Sequence, residues 1–402
     1  MDEVIYTLDP EGDIFLVLDN VTENLPGSLW DIEDSTLSGF PNSSMHPEPL
    51  PEPPEDIRYP GQQPLREPPE DIGNPGQQPL REPPQDIGNP EEENRAVEVD
   101  YREDTDQSVN APQDHQHVEQ HLQIRASSKH LTLACLQFKR TLQHGFQEGN
   151  ELKSKGYLKI PVQDWPALPF LIVMMVIHGR TWTVPRKVSL ERLAEIAIIV
   201  DYYECYEAVE VFSDMWINAL AERPLESVSD AEKWLFISWV FQQDTIFERS
   251  SKCLQLRYTT NMATIPFPIP SSVRDAIDTS REKSIERVVE CMHDLLSRLQ
   301  SKTIQCCYEC DCMLLGALTK QMCEMDILFS RPKSDFPGIC FTGLARQCRN
   351  MESPRWYRKK GYSAHTCDLS SSLAPLVESL EDSLTGLHIS SFVQLRGPGH
   401  LQ

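Results

Sequence analysis

Apolar positions along this chain mark two short strand-like runs and a series of helical stripes, with about a hundred positions of almost no apolar periodicity between the runs. Ile14-Phe15-Leu16-Val17-Leu18 follows a Gly12-Asp13 turn signal and predicts a buried strand. Periodicity stops at residue 21 and returns at Leu122-Gln123-Ile124, which alternates as a strand does. Ser127 or Ser128 then stands where an N-cap belongs, ahead of one helical stretch through Leu131, Leu133, Phe138, Leu142 and Phe146. Leu158-Lys159-Ile160-Pro161-Val162 predicts a short edge strand, since Pro161 has no N–H to give a ladder. Asp164 opens a helix across Leu168 to Ile177. Ser189 caps another, with Leu193, Ile196, Ala197 and Val200 on one face, and a further helix runs from Cys205 to Leu220.

The remainder reads as helical. Trp234, Leu235, Ser238, Trp239, Phe241 and Phe247 form a dense aromatic segment that packing between two helices accounts for. Pro266-Phe267-Pro268-Ile269-Pro270 is a rigid linker. Ile285, Val288, Val289, Met292, Leu295, Leu296 and Leu299 then repeat at the i, i+3, i+4, i+7 spacing of an amphipathic helix.

Composition explains the silent stretch. Residues 21–120 hold 17 of the 31 prolines, and a 15-residue repeat runs through them. Glu52-Pro53-Pro54-Glu55-Asp56-Ile57 recurs as Glu67-Pro68-Pro69-Glu70-Asp71-Ile72 and as Glu82-Pro83-Pro84-Gln85-Asp86-Ile87. With so few apolar residues such a repeat cannot offset its ordering entropy, and its prolines favour extended polyproline-II segments. A disordered insert is expected there. It also carries the charge: 23 acidic and 5 basic residues, against 38 and 32 in the rest of a chain whose net charge is −24. An acidic surface argues against nucleic acid as the partner. The longest apolar run, residues 170–177, is short of the ~20 that a spanning helix needs. The first 18 residues have no basic region of a secretory signal, so the 12 cysteines are expected to be reduced and the protein cytoplasmic or nuclear.

These residues, taken in order, carry a resemblance. Residues 12–19 resemble the first strand of a BTB/POZ domain, where a Gly-Asp pair precedes an apolar run. Ile124-Arg125-Ala126-Ser127-Ser128-Lys129-His130-Leu131 is similar to its second strand and following helix. Gln137-Phe138-Lys139-Arg140-Thr141-Leu142 with Glu148-Gly149 resembles the next helix, Ile160-Pro161-Val162 with Asp164 the strand leading to the one after, and Asp201-Tyr202-Tyr203-Glu204-Cys205 the closing helix pair. With His178-Gly179-Arg180 and Val184-Pro185 the pattern resembles the fungal branch of the family. The resemblance implies an α+β domain, a short sheet flanked by helices, that self-associates or docks a cullin scaffold. Ordinarily a hairpin joins the first two strands; here the insert separates them. Domain boundaries expected on this basis are 1–20 with 121–225 for the BTB/POZ-like unit, 21–120 for the insert, 226–330 for a helical extension and 331–402 for a partly ordered tail.

One constellation has metal-like spacing. Cys306-Cys307-Tyr308-Glu309-Cys310 includes the two-residue gap that lets two thiolates meet one zinc, and His365-Thr366-Cys367 lies downstream. Cys307, Cys310, His365 and Cys367 would make a structural Cys₃His zinc site, with Cys306 as an alternative to Cys307 and Cys348 as a competitor for the fourth place. Inert reduced thiols account for the same residues. The resembled fungal proteins often carry a similar cysteine cluster and a late His-x-Cys. No phosphate loop, nucleophile elbow or H-E-x-x-H motif is present, so no enzyme, catalytic residue or other cofactor is expected. His178 reads as a helix-end residue, and the basic run Arg355-Trp356-Tyr357-Arg358-Lys359-Lys360 as a solvated loop. The expected function is an adaptor with protein partners, a substrate adaptor for a cullin-based ubiquitin ligase in one version. A nuclear scaffold using the acidic insert is the alternative.

Overall fold

Alternation decides the sheet. A computed structural model describes residues 3–21, 120–143, 145–329, 335–354 and 367–393 of the chain. In β2 (Ile14–Val21) the side chains of Ile14, Leu16 and Leu18 are buried, and in β3 (Gln120–Ala126) so are Leu122, Ile124 and Ala126. These two strands pair antiparallel, Leu16 opposite Ile124 and Leu18 opposite Leu122, so both apolar sets fall on one face. The pairing joins residues more than a hundred positions apart, with an irregularity between Leu18 and Val21. β4 (Leu158–Val162) runs parallel to β2 at one edge, which suits Pro161. The other edge is β1 (Glu3–Thr7), parallel to β3, in the order β1-β3-β2-β4. β1 is absent from the sequence expectations. Tyr6 is the one buried side chain described in it, so local alternation is too short to mark the strand. The expected disorder of the insert falls outside the described residues.

The Gly12-Asp13 pair does more than turn the chain. A Cβ on Gly12 would stand 2.5 Å from the Ala126 carbonyl oxygen, so the close strand approach requires glycine. The Asp13 carboxylate accepts from the Ser128 N–H and from the Ser128 hydroxyl, both at 2.7 Å. It thereby caps α1 (Ser128–Ala134) from the opposite strand, while Ser127, the N-cap residue, makes no side-chain cap bond. The single helix expected after Ser127 is three helices. Cys135 adopts an extended conformation after α1, α2 spans Leu136–Gln143, and Gly145, at φ 73°, turns the chain into α3 (Gln147–Lys155).

Asp164 likewise does not open the next helix. It sits at φ 64°, and α4 (Ala167–Ile177) starts after the N-cap residue Pro166. All eleven residues of α4 are buried, the pattern of a helix covered on every side. Ser189 does cap α5 (Leu190–Tyr203), accepting from the Arg192 N–H at 3.1 Å. α6 (Tyr206–Ala221) follows, and the buried Trp216 donates its indole N–H to the Pro185 carbonyl at 2.8 Å.

α7 (Val228–Val240) and α8 (Asp244–Arg257) carry the aromatic segment, and after the proline linker α9 (Ser271–Gln300) runs for 30 residues. α10 (Tyr308–Glu324), α11 (Phe341–Arg349) and α12 (Leu369–Ser383) complete the described helices. The protein is thus α+β, mostly helical, with a small four-stranded sheet. Among the described residues no helix is long and apolar enough to cross a membrane.

Two apolar clusters fill it. One joins the sheet, α1 to α8, and the start of α9 as far as Ile277. The other begins at Ile285 and packs the rest of α9 against α10, α11 and α12. Apolar side chains of residues 226–277 therefore share a core with the sheet. Between the two clusters α9 buries Asp278, Arg281 and Ser284. The Arg281 guanidinium donates to the carbonyl oxygens of Asp335 at 2.6 Å and Ile339 at 3.2 Å, and Asp278 accepts from the Met262 N–H at 3.0 Å. These bonds satisfy part of the polar groups buried there, while the Arg281 Nε makes none and lies 4.0 Å from the Asp278 carboxylate.

Candidate functional site

The thiol cluster lies where α10 begins. After α9 ends, the chain turns through residues 301–305 and is folded back by Asp311, one turn into α10. The Asp311 carboxylate accepts from the Gln305 N–H at 2.7 Å and from the Cys306 N–H at 3.3 Å, and its side chain is buried in doing so. Cys307 is the N-cap residue, and its sulfur accepts from the Cys310 N–H at 3.5 Å.

The sulfurs of Cys306, Cys307 and Cys310 all lie within 4.8 Å of one another. Cys367, immediately before the N-cap residue of α12, places its thiol where it interacts with those of Cys306 and Cys310, though outside the group of sulfurs mutually within 4.8 Å. Cys310 is buried, Cys307 and Cys367 are half-buried, and Cys306 is exposed. Burial, then contact with the Cys367, Cys307 and Cys306 thiols, pushes Cys310 well above the ordinary thiol range. Cys306 is raised too, by lost hydration first and by Cys367 second.

Of the expected ligands, Cys307, Cys310 and Cys367 thus converge, and His365 lies outside the described residues. Cys306, the alternative to Cys307, lies in the same group, its sulfur and that of Cys307 brought together where Asp311 bends the chain just before the cap. Cys348 does not compete. It is buried in the second apolar cluster, with its thiol 3.9 Å from the Met292 sulfur. Sequence spacing alone marks the two-residue gap between Cys307 and Cys310; the part played by Cys306 depends on a side chain five residues further along.

The other notable thiols are Cys135 and Cys205, which meet inside the first apolar cluster. Contact with Cys205, then burial, drives Cys135 far up. That is the inert, reduced behaviour of core thiols. His178, expected at a helix end, is the C-cap residue of α4, and its imidazole is built into the fold: one ring nitrogen takes the Ser127 N–H at 2.9 Å, the other lies 2.8 Å from the Met174 carbonyl. The basic run at residues 355–360 lies outside the described residues.

Searches against protein-family models, curated proteins and solved structures find no match for this chain.

Proposed function

We propose that this protein is a BTB/POZ-type adaptor, acting by self-association or by docking a cullin scaffold while its helical half holds a client. The observation that carries the reading is the antiparallel pairing of β2 with β3 across the insert, with β4 parallel to β2 on the far side and helices following each of the later strands. The Gly12-Asp13 pair ahead of β2, on which the resemblance began, supports the same reading. The warrant is one of fold, so binding has to be measured.

The test uses the full chain. Light scattering on the purified protein and titration with a cullin N-terminal domain should give a stable dimer, a cullin complex, or both. A monomer at all accessible concentrations that binds no cullin overturns the proposal.

The charge distribution favours a second reading, a nuclear scaffold whose insert recruits factors, since residues 21–120 carry 23 acidic and 5 basic residues. Deleting residues 25–118 tests it: lost reporter activation with intact oligomerisation supports the scaffold, and unchanged activity removes it.

A further inference from the structure

We infer that Cys306, Cys307, Cys310 and Cys367 form a tetrathiolate site for one Zn²⁺, which fastens the segment entering α12 to the first turn of α10. The three sulfurs of Cys306, Cys307 and Cys310, within 4.8 Å of one another, match the compactness that a tetrahedral zinc needs, whose Zn–S bonds are about 2.3 Å. Cys367, whose thiol interacts with those of Cys306 and Cys310, lies outside that 4.8 Å group and would move in as the fourth ligand. All-sulfur donors select a soft or borderline ion and disfavour magnesium or calcium.

The surroundings are those of a ligand set. Asp311 accepts two successive N–H groups and so fixes the Cys306-Cys307 bend, and the Cys310 N–H is directed at the Cys307 sulfur. Such outer contacts orient metal ligands and relieve part of the thiolate charge. Binding replaces four S–H protons, released to solvent, by four Zn–S bonds, leaving a centre of net charge −2. No electron transfer or co-reactant is involved.

The consequence is structural. Cys310 and Cys367 stand 57 positions apart, with α11 and most of α10 between them. Both helices, with α12 and the second half of α9, share the second apolar cluster. Zinc would crosslink two segments of the chain that packs this cluster, and its binding free energy becomes folding free energy for the module.

The experiment takes the full chain, purified without chelator or affinity metal. Elemental analysis should find one zinc per chain. Cobalt substitution should give tetrahedral d–d bands and a sulfur-to-cobalt charge-transfer absorption scaled to four thiolates. Cys306→Ser should lower that absorption by about a quarter and weaken zinc binding by more than the roughly 10- to 100-fold that loss of an outer contact costs. His365→Ala should change neither. Cys367→His, which keeps a ligand, should retain zinc and the fold even where Cys367→Ser unfolds. The reverse pattern, with His365→Ala losing the metal and Cys306→Ser keeping it, overturns the four-sulfur set. So does protein that carries no zinc and whose four cysteines alkylate equally fast with and without added Zn²⁺, or non-reducing peptide mapping that finds these residues in disulfides.

Discussion

Asp13 caps the helix that begins at Ser128, accepting its N–H at 2.7 Å across 115 positions of sequence. That bond ties the strand before the insert to the helix after it. Asp13→Ala should remove about 1–2 kcal/mol, the usual cost of a lost cap, with Asp13→Asn losing less. Chemical denaturation reads the change. A midpoint shift no larger than that from a surface control such as Glu11→Ala would show that the cap carries no weight.

The same pairing makes a prediction for the insert. Val21 stands opposite Gln120, so the positions that flank residues 22–119 are already paired. Replacing them with a short Asn-Gly turn should leave the fold intact and raise stability by roughly 2–3 kcal/mol, because closure entropy grows with the logarithm of loop length. Loss of cooperative unfolding in the shortened chain would mean that the insert contributes contacts to the core.

His178 should make stability fall in mild acid. Burial lowers its pKa, a shift the Met174 carbonyl opposes and the neighbouring His130 and Arg180 reinforce; Asp9 acts the other way. Because the folded pKa lies below the unfolded value of about 6.5, the contribution is complete above that pH and is lost as pH falls through it. His178→Gln, which keeps an acceptor for the Ser127 N–H, should flatten the dependence of the unfolding midpoint on pH between about 7.5 and 5.5. An unchanged slope would assign the effect to other groups.

Arg281 should be costly to remove. Arg281→Leu leaves the carbonyl oxygens of Asp335 and Ile339 without their donor beside a buried Asp278, whose own pKa burial already raises. The loss should be about 2–4 kcal/mol, and Arg281→Lys should recover only part of it, since one ammonium cannot span both oxygens as the fork does. Equal stability of Arg281→Leu and the wild type would mean that the loop at residues 335–339 is held by apolar contacts alone.

Asp311→Ala tests the bend before α10. It should reduce zinc affinity about 10- to 100-fold with little effect on unfolding of the sheet-bearing core. An Asp311→Ala protein that binds zinc as tightly as the wild type would leave the Cys306 position to be fixed by other contacts.

What the sequence determined by itself is local. The Ile14–Leu18 apolar run, the proline-limited edge strand, the Ser189 cap and the apolar stripe of α9 are each written within a few residues, because burial and capping at those places depend on near neighbours in the chain. The two-residue gap between Cys307 and Cys310 is legible for the same reason. Tertiary structure decided the rest. β1 is a strand because β3 offers it an edge, and the helix expected after Ser127 breaks at Cys135 and again at Gly145, where one continuous helix gives way to three short ones. Asp13 reads as part of a turn until Ser128 arrives beside it from beyond the insert. Cys306 and Cys307 reach one centre together only because Asp311 draws back the chain before them, and Cys367 joins them through the packing of α12 in the second core. Contacts between residues fifty or a hundred positions apart leave no period in the chain to read, so folding alone brings them together.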